Sequence, residues 1–332
     1  MPSPLRIGIL GAARIAPKAV CDPARVLSLV EVTAVAARNR ARAETFAADN
    51  KIRTVLDSYD ALIESPDVDM VYNPLPINLH AEWTIKALEA GKHVLCEKPF
   101  AMNSDEAKAM VAASGKSGKR LIEAFHYRYH PAFRQCLAWI EEGRIGDIQS
   151  IDTEFSVAIR DSDDEIRQLP ETGGGAMMDL GCYPLHWVLN MLEDEPASIS
   201  AKAVRTKRGV DESMMAMLSY ASGAQVNIST SMAEGQPFRA SLNVHGSKGK
   251  ILFQNPLAPH AGGSLRLIET ATGEKVDAEI SPITTYTWQL GLISLAVNSG
   301  ADLPTEGPII LRQQKLLDDI YEAAGLRDLR YR

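Results

Sequence analysis

Between Leu5 and Phe125 short apolar runs alternate with helical stretches, and this alternation constrains the fold more than any other feature of the 332 residues. Residues 5–10, 30–37, 68–72, 93–96 and 120–125 have the length and β-branched content of strands buried on both faces. Helical patterns fall between them: from about residue 16, over 58–64, over 79–90 with Gly91 as the stop, and over 104–114 with Ser104 as the cap and Glu106 in an acidic first turn. Strands that return through helices at this spacing predict right-handed βαβ units and a doubly wound parallel sheet.

After Phe125 the pattern changes. Helices are predicted over about 131–142 and 176–192, with a strand over 148–157, a polar loop over 160–171 and Gly173-Gly174-Gly175 between them. From residue 198 to 267 strands follow one another across turn signals such as Gly246-Ser247-Lys248-Gly249, and helices over about 286–298 and 308–324 close the chain. Strands in succession imply a large, mostly antiparallel sheet. The expectation is an α/β protein of two domains: residues 1–124 as a dinucleotide-binding domain and 125–332 as an α+β substrate and oligomerisation domain with an open sheet. Met214, Met215 and Met217 are read as core.

Gly11 sits where the first strand must turn into its helix, an arrangement that aims helix N–H groups at a pyrophosphate. The match to G-x-G-x-x-G is incomplete, because Ala13 and Ala16 take the second and third glycine places. Gly11, Ala12, Ala13, Arg14 and Ile15 are the candidate phosphate loop. At the tip of the second strand an NAD site places an acid, roughly 20 residues beyond the glycines. Here the tip reads Arg38-Asn39-Arg40, with Arg42 one helical step on. Guanidinium groups suit a 2′-phosphate, so NADP is preferred over NAD; the competing explanation is a solvated helix start.

Glu97-Lys98-Pro99 follows the fourth predicted strand at the carboxyl edge, where open α/β sheets bind ligands. Asp179 and Tyr183 are spaced i, i+4 and share a helix face. Alcohol oxidation needs a base for the hydroxyl proton, and tyrosine, at an ordinary pKa of ~10, needs a neighbouring cation to serve near neutrality. Lys98 has the charge for that, and Asp179 can accept a substrate hydroxyl. His126, Arg128, Arg167 and Tyr286 are weaker candidates for substrate contact, with packing as the alternative; His186 is read as a core histidine.

Tyr72-Asn73-Pro74-Leu75-Pro76, His80, Glu97-Lys98-Pro99 and the run from Gly173 through Asp179 to Tyr183 resemble the Gfo/Idh/MocA oxidoreductases. Within that family, Gly11-Ala12-Ala13-Arg14 and Glu123-Ala124-Phe125-His126-Tyr127-Arg128 are similar to the branch of dimeric dihydrodiol dehydrogenases and NAD(P)-dependent D-xylose dehydrogenases. The resemblance implies a Rossmann domain and a second domain whose open sheet forms a homodimer or tetramer. It also implies cofactor contacts from Asn73, Pro74, Leu75, Pro76, His80, Glu97 and Lys98, a catalytic Lys98 and an acid–base Tyr183. Ile77 departs from the family, where asparagine is common. The activity so implied is NAD(P)-dependent hydride transfer to or from a CH–OH carbon of a polyhydroxylated small molecule. The alternatives are a non-catalytic NADP-binding sensor and a tightly bound cofactor serving redox-assisted glycoside chemistry.

A net charge of −7 without a basic stripe argues against nucleic acid. No apolar stretch is long enough to span a bilayer, and the first residues carry no apolar leader segment. Cys21, Cys96, Cys136 and Cys182 lack metal-ligand spacing, so no metal site is expected and a reducing, cytoplasmic setting is.

Overall fold

A computed structural model describes residues 3–331; Met1 and Pro2, which open the stretch read for a leader, and Arg332 lie outside the described residues. Packing divides the chain into two units, one running to His126 and including Tyr286–Leu311, the other made of Tyr127–Thr285 and the chain from Arg312 onward. The continuous second domain expected from residue 125 is therefore corrected, because one segment returns to the first unit. Tyr286 stacks on His126 with ring centroids 4.0 Å apart, and Arg120 grips Glu306 through Nε and Nη2 at 2.9 and 2.7 Å. Ile310 is buried in the same core as Leu10, Val71 and Val94.

The first unit is built on six parallel strands, β1 Leu5–Leu10, β2 Val30–Ala36, β3 Thr54–Leu56, β4 Met70–Asn73, β5 His93–Cys96 and β6 Leu121–Glu123, in the order β3-β2-β1-β4-β5-β6. Buried apolar side chains on successive residues of β1, β4 and β5 reflect helices covering both faces. The chain winds outward from β1 to β3 and then restarts beside β1 with β4, so the strand order reverses there and opens a crevice at the carboxyl ends. β3 is the strand the pattern missed: three residues at a sheet edge, none fully buried, give no periodic signal. The helix Ser104–Ser117 begins one residue after its cap, which is Asn103 accepting from the N–H groups of Asp105 and Glu106, instead of Ser104.

The second unit carries an eight-stranded sheet: β7 Ile148–Ser156, β8 Ser198–Arg205, β9 Asp211–Ser219, β10 Gln225–Ser231, β11 Arg239–Gly246, β12 Gly249–Gln254, β13 Ser264–Glu269 and β14 Lys275–Asp277. Their order is β14-β13-β12-β11-β7-β10-β9-β8, antiparallel except for the β7–β10 pair. One face is covered, in part by a segment that runs as a π-helical turn over Met177–Gly181 and continues as an α-helix over Cys182–Leu189. The other face is open. Met214 points into the core, whereas Met215 and Met217 are 62% and 47% exposed on the open face. Reading all three as core ignored the two-residue alternation of a strand covered on one side.

Candidate active site

In the first unit the carboxyl edge gathers the predicted cofactor residues from four strand ends. Gly11 leaves β1 with φ +82° and donates to the Ala36 carbonyl at 2.7 Å, a left-handed turn that glycine makes without strain. From the tip of β2, Asn39 caps the helix Arg40–Asn50 by accepting from the Arg42 N–H. The Arg42 guanidinium reaches back to the Ala12 carbonyl at 3.2 Å. Ala12, Asn39, Arg42 and Thr45 line a cleft of about 480 Å³ there. Arg40 pairs with Glu44 and Asp57, and Arg38, Arg42 and Arg14 are exposed as well. These features fit a dinucleotide: a glycine turn at the head of a βα unit, and cationic groups in place of an acid at the β2 tip.

The structure places Asn73 and His80 beneath this edge. Asn73 is buried, donating to the His80 carbonyl and the Thr84 hydroxyl and accepting from the Leu75 N–H. His80 lies against the Leu75 and Phe100 carbonyls at 2.7 and 3.2 Å, and burial pushes its imidazole down to about 4, so it is neutral near pH 7. Both side chains are engaged in shaping the Pro74–Pro76 loop. Glu97 accepts from the Tyr72 hydroxyl at 2.7 Å and from the Lys98 N–H at 3.3 Å, which fixes the backbone from which Lys98 projects. Tyr286 lies in this unit near Glu97, and burial pushes its hydroxyl well up. His126 is buried against it.

In the second unit Asp179 and Tyr183 come from the π-helical turn and the α-helix that continues it. Tyr183 is 5% exposed, with its ring edge-on to Phe155 at 5.7 Å and 6.0 Å from Tyr127. Asp179 is paired with Arg167, Nη1 to Oδ2 at 3.7 Å. Arg128 is turned to Asn190 and lies 5.9 Å from the Phe133 ring, a brace within this unit. His186 is a buried core histidine in contact with the Tyr127 hydroxyl.

Both parts match known proteins. The model of the oxidoreductase family with an NAD-binding Rossmann fold covers residues 5–125, and that of the GFO/IDH/MocA C-terminal domain covers residues 133–252. D-xylose 1-dehydrogenase (NADP(+)) 2 of Haloferax volcanii is 32% identical, across 96% of this chain and 97% of its own length. This chain belongs to the Gfo/Idh/MocA family of NAD(P)-dependent oxidoreductases. Among other family members, trans-1,2-dihydrobenzene-1,2-diol dehydrogenase of Xenopus tropicalis is 34% identical, across 67% of this chain and 66% of its own. The crystal structure of KijD10, a 3-ketoreductase from Actinomadura kijaniata in complex with NADP and TDP-benzene, superposes with a TM-score of 0.86 at 29% identity, covering 97% of this chain and 98% of that one.

Three residues that matter to the geometry were given no role from the sequence. Tyr59 stands beside Gly11 and Arg38 at the β2 tip. Glu123 closes β6 opposite Cys96 and is fully buried; burial, with Glu97 nearby, pushes its carboxyl well above the carboxylate range. Asp211, at the start of β9, accepts from the Met177 N–H at 2.7 Å and the Tyr321 hydroxyl at 2.6 Å, anchoring the first turn of the segment that carries Asp179. A side chain at Gly175, whose φ is +130°, would collide with that carboxylate, which accounts for one glycine of the cluster.

Burial pushes the Asp211 carboxyl from 3.8 up to about 6, against the hydrogen bonds from Tyr321 and Met177. The folded state therefore holds a proton that the unfolded state has released between these values. The stability this contributes is complete below about pH 4 and is lost as pH rises through 6. Between pH 4.5 and 7.5 the wild type should lose on the order of 2 kcal/mol relative to Asp211→Asn, measured by denaturant unfolding at each pH. A gap between the two proteins that stays constant with pH would refute this assignment.

Proposed function

We propose that this chain carries out reversible hydride transfer between NADP(H) and a CH–OH carbon of a sugar, cyclic polyol or related diol. Support comes foremost from the carboxyl edge of the first sheet, where the Gly11 turn, Arg38 with Arg42, and Lys98 leave the ends of three different strands. Bound there, the nicotinamide ring supplies or takes up the hydride. Gly11 through Ile15 would cradle the pyrophosphate, and Arg38 and Arg42 the 2′-phosphate, which favours NADP with NAD as a weaker alternative. Pro74, Leu75 and Pro76, held by Asn73 and His80, would line the nicotinamide side.

In this reading Tyr183 takes the hydroxyl proton on oxidation and returns it on reduction. Lys98 steadies the developing alkoxide, and Asp179 accepts a substrate hydroxyl. Arg128 and Tyr286 then act as supports for the residues around them. A homo-oligomer formed through the open face of the second sheet, where Met215 and Met217 are exposed, belongs to the same proposal. So does a cytoplasmic location, which four buried free cysteines favour; no described helix is long and apolar enough to cross a membrane.

The protein mixed with NADP and a panel of free sugars, cyclic polyols and diols should raise the absorbance of reduced nicotinamide, with a lower KM for NADP than for NAD. Binding of the reduced cofactor without turnover of any compound would leave a cofactor-binding protein and overturn the proposal.

A further inference from the structure

β3 runs parallel beside β2, with Leu56 opposite Ala36, so the residues that follow it emerge alongside the β2 tip. The Ser58 hydroxyl caps the helix Tyr59–Glu64 by accepting from the Ala61 N–H at 3.0 Å, which makes Tyr59 the first helical residue. The Tyr59 ring stands edge-on to Trp83 of the helix His80–Glu89, with centroids 4.9 Å apart and an interplanar angle of 82°. Lys86 Nζ lies over the Trp83 ring at 4.1 Å. These contacts hold the phenol between the two halves of the candidate cofactor cradle. On one side its oxygen lies 3.6 Å from the position that a Cβ at Gly11 would take. On the other it accepts a hydrogen bond from the Arg38 backbone, and the charges of Arg38 and Arg42 act on it. Burial pushes the hydroxyl up against the pull of both arginines, so it stays protonated near neutrality.

A 2′-phosphate is held by guanidinium N–H groups, and those contacts are directional. Arg38 is exposed, and its long side chain loses rotamer freedom when a phosphate captures it. Pinning the Arg38 backbone to an immobile phenol fixes the root of that side chain in advance. NAD carries a hydroxyl where NADP carries the phosphate, so it draws little from Arg38 and gains little from the pin.

We infer that Tyr59 is a positioning residue for cofactor choice: by holding the Arg38 backbone against the Gly11 turn, it sets the guanidinium that receives the 2′-phosphate. This inference rests on the NADP-binding reading above. It is tested by fluorescence titration of the full-length protein with NADPH and with NADH, in the wild type, Tyr59→Phe, Arg38→Ala and the double variant. Tyr59→Phe keeps the ring against Trp83 and removes only the oxygen. It should raise the Kd for NADPH about threefold to tenfold, the worth of one hydrogen bond, while the Kd for NADH moves by less than about twofold. In the Arg38→Ala background the same substitution should add nothing, because the side chain through which it acts is gone. Equal weakening of both cofactors, an unchanged NADPH affinity, or a Tyr59→Phe effect that persists beside Arg38→Ala overturns this inference and leaves NADP binding standing. A wild type that binds NADH more tightly than NADPH overturns both.

Discussion

Replacing Tyr183 by phenylalanine is expected to lower turnover at least ~100-fold while NADPH binding persists. The substitution removes one oxygen and keeps the ring, which is buried edge-on to Phe155 and close to Tyr127. Packing of the helix Cys182–Leu189 is therefore retained, and what disappears is the group proposed to exchange a proton with the substrate. General acid–base residues contribute roughly 10²–10⁴-fold to rate, so a loss in that range with an unchanged fold is the signature of the role. Initial rates and a fluorescence titration with NADPH separate the two quantities. Wild-type turnover in the variant would remove Tyr183 from the mechanism.

The largest effect on stability is expected at the end of the chain. Arg330 is the third residue from the C-terminus, yet it is completely buried. Its Nε donates to Asp318 at 2.7 Å and its Nη2 to Gln314 at 3.0 Å, with the guanidinium 5.7 Å from the centre of the Tyr321 ring. Tyr331 adds a hydroxyl to the other Asp318 oxygen at 2.8 Å. Arg330→Met fills much of the volume but leaves the Asp318 carboxylate inside the protein without its cation. Breaking a buried pair from one side costs about 3–5 kcal/mol. At roughly 2–4 °C per kcal/mol for a unit of this size, the melting temperature should fall by about 10 °C. Adding Asp318→Leu to Arg330→Met should restore part of the loss, because the stranded charge is then gone. A single variant that melts within about 2 °C of the wild type would refute the argument.

The effect of Arg330 is tied to the site through one neighbour. Tyr321, under the Arg330 guanidinium, donates to Asp211, and Asp211 holds the Met177 N–H. The segment bearing Asp179 and Tyr183 is thus anchored by residues about 30 and 140 positions downstream. No local pattern announces this, because Asp211 looks like the polar start of an ordinary strand and Tyr321 like one aromatic on an amphipathic helix.

Periodicity and turn chemistry by themselves determined that a parallel, doubly wound sheet precedes a mostly antiparallel one. They also placed Gly11, Lys98, Asp179 and Tyr183 at strand ends and on a helix start. These follow from rules that act within a few residues: buried strands are continuously apolar, glycine takes positive φ, and a strand end in an α/β unit lies on the ligand-binding edge. Tertiary structure alone decided that Tyr286–Leu311 returns to the first unit and that Asn73 and His80 are buried with their side chains bonded to the backbone of Leu75. It alone decided that Met215 and Met217 face outward, and that Arg167 is shared between Glu165 and Asp179. Each of these depends on which distant groups desolvate and pair with one another, and burial and charge pairing are properties of the packed chain that no short window of sequence contains.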